Sequence, residues 1–264
     1  MTDLSNKLRQ YLWFAHKDTV LFEGKGLYSA VKVTKRGDRV NLYTGGKFLQ
    51  TSWNPYVIPG GGYFDWYLVA PWFSGKFKGN IGSMLILGLG GGSQVHLYNR
   101  VYNVKQITGV EIDPLIIDLG KKYFDLNLPN LKVFKEDSSN YLKTTSERYD
   151  VIVLDSFKEN MFDEHCQTKD YLKSTKEHMT NDGVLLINRV LTDPYNQKMG
   201  SELKKVFNTV ITLRIHKSMF FIATNSDNAP LDVNATNQLM KKASQLHQDL
   251  KFLKKYSKKN ITHF

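Results

Sequence analysis

One cysteine, Cys166, stands in a chain of 264 residues, so no intrachain disulfide can form. With no partner cysteine and no nearby histidine triad it reads as a packing or surface residue rather than a nucleophile. No apolar run approaches the roughly 20 residues needed to span a bilayer. The first ten residues, Met-Thr-Asp-Leu-Ser-Asn-Lys-Leu-Arg-Gln, lack the apolar core of a signal peptide. A cytoplasmic location is therefore expected, with no membrane partner. The seven histidines are scattered and none sits at ligand spacing with cysteine or acids, which implies no metal. No internal repeat is present. A hydrophobic content of 41% with 23% charged residues is that of a soluble globular protein. The length suits one domain of ordinary size with a small companion.

Acid is the charge in short supply: 25 Asp and Glu against 36 Lys and Arg leave a formal net charge of +11. Lys251, Lys254, Lys255, Lys258 and Lys259 crowd the last fourteen residues, and the rest of the excess is spread along the chain. Such a tail is ordinarily a solvated helix face or a frayed end. The alternative is a phosphate-binding tail whose association with nucleic acid would be strongly salt-dependent.

What the chain does contain is a glycine turn in a telling place. The run Met84-Leu-Ile-Leu87 is short enough for a buried parallel strand and stops at glycine. Gly88, Gly90, Gly91 and Gly92 let the backbone turn tightly and approach a ligand without Cβ obstruction. Ser93 to Tyr102 forms the following helix, whose N-terminal amides favour a carboxylate or phosphate. The next strand, Gln106 to Val110, delivers Glu111, 23 positions after Gly88, where a carboxylate accepts both hydroxyls of a ribose. A nucleoside site is expected here. The turn reads Gly88-x-Gly90-x-x-Ser93, and the final serine disfavours a dinucleotide. A third strand, Leu131 to Phe134, ends at Glu136-Asp137-Ser138, and a fourth, Tyr149 to Leu154, ends at Asp155-Ser156. Four strands ending in a glycine turn or an acid on one rim suit an adenosine with a sulfonium arm better than a pyrophosphate.

Three regions are expected: a small β domain over 1–60, a Rossmann-like nucleoside-binding domain over 61–230, and a basic helix or tail over 231–264. The first carries β-type runs at Thr19–Glu23, Ala30–Thr34, Arg39–Tyr43 and Lys47–Thr51, with a hairpin turn at Arg36-Gly37-Asp38. A sheet so small should pack on the larger domain or on another subunit, making a homodimer the expected state. Pro59-Gly60-Gly61-Gly62 marks the junction, and the aromatic-rich Tyr63 to Phe73 reads as a buried helix. The polar stretch Phe157 to Cys166 is too irregular for a strand and is placed to act as a lid. Thr168 caps a helix to Met179, Asp182-Gly183 turns the chain, and Val184 to Asn188 is a fifth strand. A helix over Gln197 to Phe207 precedes an antiparallel pair, Thr209–His216 and Phe220–Thr224, with its turn at Lys217-Ser218. Asp232 to Tyr256 reads as a final amphipathic helix capped by the aspartate. The fold class is thus α/β, a doubly wound sheet of the class I methyltransferase type behind a small antiparallel domain.

Over roughly residues 19 to 224 the chain resembles the spermidine synthase superfamily, the aminopropyltransferases and their methyltransferase-fold relatives. The likeness rests on the order of a small β domain, the glycine turn, Val110-Glu-Ile-Asp113, Glu136-Asp137 and Tyr149-Asp-Val-Ile-Val-Leu-Asp-Ser156. It implies that Glu111 holds the ribose, Asp137 meets the adenine amino group, Asp155 faces the reacting amine and Gln50 lies near the cofactor. With Gly88, Gly90, Gly91 and Ser138 these form the expected cofactor set. Asp155 is the candidate catalytic acid–base group, and an ordinary strand-end cap is its alternative role. The departures matter too. The family pattern Gly-Gly-Gly-Asp-Gly has Gly91 here in place of its acid; Asp-Ser-Ser-Asp reads Asp155-Ser-Phe-Lys158; Tyr-His-Glu reads Asp65-Trp-Tyr67. A lysine beside a cationic polyamine costs Coulomb energy of order 1–4 kcal/mol, depending on local dielectric.

These residues lead to the expectation of a transferase using S-adenosylmethionine or its decarboxylated form, with a small amine as acceptor. Asp65, Ser156 and His165 are the candidate acceptor contacts. The missing acid at Gly91 puts methyl transfer first and aminopropyl transfer, as in polyamine synthesis, second. A catalytically silent or RNA-binding member of the fold is the further alternative. Against an RNA methyltransferase, Asn54-Pro55-Tyr56 lies in the N-terminal region, not after the fourth strand.

Overall fold

The computed structural model describes residues 16–56, 62–74, 77–158, 161–230, 232–246, 248–255 and 261–263. The Pro59–Gly61 junction, the first ten residues, Lys258 and Lys259 lie outside them. The chain opens with β1 (Thr19–Lys25), β2 (Ala30–Arg36), β3 (Arg39–Thr44) and β4 (Phe48–Trp53), an antiparallel meander in sequential order. A twelve-residue run of 3₁₀ turns, Tyr63–Ser74, follows and is buried from Trp66 onward. The buried helix expected over Tyr63 to Phe73 is thus of the 3₁₀ type, and Pro71 inside the run, which lacks a backbone donor, disfavours regular i→i−4 bonding.

The large domain then alternates as expected: β5 (Ser83–Leu87), α1 (Ser93–Tyr102), β6 (Gln106–Glu111), α2 (Pro114–Tyr123), β7 (Leu131–Lys135), α3 (Ser138–Thr144) and β8 (Tyr149–Leu154). Beyond β8 the stretch expected to be irregular forms a small hairpin, β9 (Phe157–Lys158) with β10 (Met161–Phe162), and a 3₁₀ turn at Glu164–Gln167. Thr168 caps α4 (Lys169–Glu177), its hydroxyl accepting the Tyr171 amide. The strand β11 (Met179–Val190) absorbs the expected Asp182-Gly183 turn as a break in register between Met179 and Val184. Then come α5 (Asn196–Lys204), β12 (Thr209–Ile215), β13 (Ser218–Thr224), α6 (Val233–Leu246), a 3₁₀ run Gln248–Lys255, and β14 (Ile261–His263).

Eight strands form one sheet in the order β14-β12-β13-β11-β8-β5-β6-β7. The five from β11 to β7 are mutually parallel, and the antiparallel pairing begins at β13. β5 and β8 sit centrally and are buried on both faces, which explains why Met84–Leu87 and Val151–Leu154 are continuous apolar runs. The first sheet does not stand alone. Val31, Val33, Val40 and Leu42 pack on Ile116, Leu119 and Phe124 of the α/β domain. Asp113 Oδ2 accepts the Leu27 amide at 2.6 Å across the two. This packing sets β4 against the carboxyl ends of β5, β6 and β8, where the glycine turn lies.

Candidate functional site

One cleft opens at those carboxyl ends. Gln50, Gly88, Gly90, Glu111, Asp137, Ser138, Asp155 and Ser156 all line it. Gly88 and Gly90 have φ of 89° and 56°, the left-handed region in which a side chain is strained. A Cβ on Gly88 would stand 2.4 Å from the Asp155 carbonyl oxygen, so the turn and the end of β8 approach as closely as backbone allows.

Glu111 is buried and held at both oxygens: Oε2 accepts the Gly90 amide at 2.9 Å and Oε1 the Asp113 amide at 3.0 Å. Burial raises its pKa against those amide bonds. The arrangement pins the carboxylate and leaves each oxygen a second lone pair. Gly91 donates its amide to Thr51 Oγ1 at 2.9 Å, and Gly92 donates to the Leu89 carbonyl. The amides of Gly90, Gly91 and Gly92 are therefore committed within the protein.

Asp155 sits at the centre of a network supplied by three other elements. Its Oδ2 accepts from Tyr67 Oη at 2.8 Å and from Gln94 Nε2 at 2.9 Å; its Oδ1 accepts from Asn188 Nδ2 at 2.8 Å. Asn188 also donates to Tyr63 Oη, which lies 3.1 Å from Tyr67 Oη. Desolvation pushes the Asp155 pKa up despite these three bonds. Sequence reasoning passed over Tyr67, Gln94, Asn188 and Thr51, which lie on four different elements with no shared local motif.

Two amide oxygens complete the cleft. Gln50 Oε1 and Asn188 Oδ1 are buried without a hydrogen-bond partner, and both residues line the cleft. Gln50 is aimed there by a β-bulge: Tyr43 pairs with Leu49 and Leu42 with Thr51, which leaves Gln50 as the extra residue. Buried acceptors without donors are rare and call for N–H or O–H groups from a ligand.

Charge in the cleft is one-sided. Among the described residues Glu111, Asp113, Glu136, Asp137, Asp155 and Asp163 line it, against the single cation Lys158. Lys158 Nζ lies 2.9 Å from Asp163 Oδ2 and 5.9 Å from the Tyr28 ring centroid. Its pKa is raised, chiefly by that hydrogen bond to Asp163. Asp137 spends Oδ1 on the Ser139 amide as the cap of α3, and Ser138 Oγ accepts from Tyr171 Oη.

The remaining expected site residues fall outside this cleft's lining. Gly91 is buried behind it, and a Cβ there would meet Thr51 Cγ2 at 2.8 Å, so β4 fills the space an acid on the turn would use. Asp65 lines a neighbouring groove, where Oδ2 accepts the Gly62 amide. His165 is exposed, with its ring 5.9 Å from that of Tyr171. Cys166 is buried beside Ser138, and burial pushes its thiol up to about 11, which keeps it protonated.

Residues 72–233 match the model of the spermine/spermidine synthase domain, more than half of the chain. This chain belongs to the spermine/spermidine synthase family. A probable polyamine aminopropyl transferase of Bifidobacterium longum is 30% identical over 206 residues, covering 76% of this chain and 45% of that protein. The polyamine aminopropyltransferase of Vibrio vulnificus is 27% identical over 205 residues, covering 75% and 69%. In architecture the chain is similar to a probable spermidine synthase from Corynebacterium glutamicum, with a TM-score of 0.71 at 14% identity over 86% of this chain and 88% of that one. The small meander and the eight-stranded sheet are thus the spermidine synthase arrangement.

Proposed function

We propose that this chain transfers an aminopropyl group from decarboxylated S-adenosylmethionine to an amine. The observation that carries this reading is the balance of the cleft. Six carboxylates face one lysine already paired with an acid, and the turn amides are committed to Glu111, Thr51 and Leu89. Lys158, already paired with Asp163, is the one cationic side chain among the described cleft residues that could meet the carboxylate of intact S-adenosylmethionine. A donor with cationic groups only suits this field. The relatives named as aminopropyltransferases favour the same donor. Both considerations displace the preference for methyl transfer drawn from the absent acid at Gly91.

The residues present fit such a group. Gly88 and Gly90 clear the way for close approach, Glu111 accepts the ribose hydroxyls through its remaining lone pairs, and Asp137 meets the adenine amino group. Gln50 Oε1 and Asn188 Oδ1 supply acceptors for N–H groups. When bound, the sulfonium provides an activated carbon, so the protein's work is to align the amine and free its lone pair. Asp155 accepts the proton that the amine gives up, and Tyr67, Gln94 and Asn188 hold its carboxylate at a fixed angle. Calorimetric titration with both sulfonium nucleosides tests the donor. The decarboxylated compound should bind at least tenfold more tightly, and tighter binding of S-adenosylmethionine would restore methyl transfer.

A further inference from the structure

Lys158, the only cation lining the cleft among the described residues, sits between two groups with the chemistry of an ammonium site. Its Nζ is 2.9 Å from Asp163 Oδ2 and 5.9 Å from the centre of the Tyr28 ring. A carboxylate supplies a charge-assisted hydrogen bond and an aromatic face attracts the same cation. Each wall is fixed without help from the lysine. The Asp163 side chain is only 10% exposed; its Oδ1 accepts the His165 amide at 3.1 Å, and its own amide donates to the Ser156 carbonyl at 3.0 Å. Tyr28 stands in the connection between β1 and β2, which the Leu27 amide ties to Asp113 Oδ2.

The occupant is held more loosely than its walls. The Lys158 side chain is 48% exposed and rises from a hairpin of two-residue strands. An ion pair so open to water is weak, and the flexible four-carbon stem lets the ammonium swing into solvent without moving backbone. Its departure would uncover Asp163 Oδ2 and the Tyr28 face to the cleft that Asp155 also lines. The Ser156 carbonyl that anchors Asp163 belongs to the residue after Asp155, so the two carboxylates rise from one short stretch of chain.

We propose that Asp163 and Tyr28 form a site for a primary alkylammonium, which Lys158 occupies and from which a reactant displaces it. The inference rests on the aminopropyl-transfer reading and assigns its reactants a second contact beside Asp155. Two of them carry the required group: the far end of a diamine acceptor and the aminopropyl arm of decarboxylated S-adenosylmethionine. Lys158 is then a tethered competitor, and the protein binds that reactant less tightly than its carboxylates alone would allow.

Calorimetry tests this on the parent, Lys158→Ala and Lys158→Ala/Tyr28→Leu. Each is titrated with putrescine in the presence of methylthioadenosine, and separately with decarboxylated and intact S-adenosylmethionine. Lys158→Ala should tighten at least one cationic ligand threefold or more: putrescine if the acceptor uses the site, the decarboxylated donor if its arm does. Tyr28 is 39% exposed, so Tyr28→Leu keeps the fold and leaves the charge unchanged. In the double variant it should cost at least twofold of that gain. A gain that Tyr28→Leu leaves intact is a long-range charge effect and overturns the proposal, as does the absence of any gain. Both failures leave the donor reading to the parent's own ratio for the two sulfonium nucleosides. If Lys158→Ala instead weakens intact S-adenosylmethionine and improves neither cationic ligand, the lysine serves a donor carboxylate, and the site and the donor reading fall together.

Discussion

Asp155 carries a carboxylate that three side chains hold in place and that burial makes reluctant to ionise. Its raised pKa fixes the sign of a pH effect. The basic form is lost as pH falls through a value above that of an ordinary aspartate, so the acid limb of kcat/KM should lie at higher pH than an unperturbed aspartate would place it. Asp155→Asn keeps an acceptor oxygen but not the base. It should lower kcat by about 10²-fold or more with donor affinity within threefold, read by methylthioadenosine release and calorimetry. Gly88→Ala combines a positive φ with a Cβ 2.4 Å from backbone. It should destabilise the fold by about 1–3 kcal/mol and displace Asp155, measurable as denaturant stability and lost turnover. The glycines, Glu111, Asp137 and Asp155 are legible in the sequence because each ends a strand of regular pattern. Tyr67, Gln94 and Asn188 are not, because a hydrogen bond spanning 33 to 88 residues leaves no local trace.

At the level of elements, the strands and helices with strong periodicity or a good cap lie where sequence places them, β8 and α1 among them. The failures have local causes. Asp232 does cap its helix, accepting the Ala235 amide, but α6 ends at Leu246 and the chain continues from Gln248 as 3₁₀ turns. The hairpin β9–β10 looked irregular because two-residue strands carry too little pattern to detect. Phe157 packs edge-on with Phe162 and lies 5.7 Å from Phe48 of β4, so the hairpin spans to the small sheet across the cleft. Its ion pair is half-exposed on the Lys158 side and contributes less than about 1 kcal/mol. Lys158→Ala should therefore leave the thermal midpoint nearly unchanged, whereas Phe157→Ala should weaken donor binding severalfold by calorimetry. Equal donor affinity in Phe157→Ala and the parent would deny the hairpin a covering role.

For the whole molecule, the C-terminal segment is part of the large domain's core and sheet. Phe252 and Leu253 are buried, Thr236 Oγ1 contacts His263 Nε2 at 2.9 Å, and β14 pairs with β12. Removing Ile261–Phe264 exposes the β12 edge and loses a buried isoleucine, at a cost of about 1.5–3 kcal/mol. The truncated chain should melt lower and aggregate more readily in light scattering. Loss of function on deleting the basic tail would thus report on the sheet as much as on its lysines. The sequence by itself determined the α/β class, the order of elements and the acids at the strand ends, because those follow from residue periodicity and local turn chemistry. Only the tertiary structure decided what those acids face. The β-bulge at Gln50, the Thr51 contact with Gly91 and the groove that Asp65 lines arise where the small sheet packs on the large one. Such contacts join residues distant in the chain, and their geometry is set by how two surfaces fit rather than by neighbours in sequence.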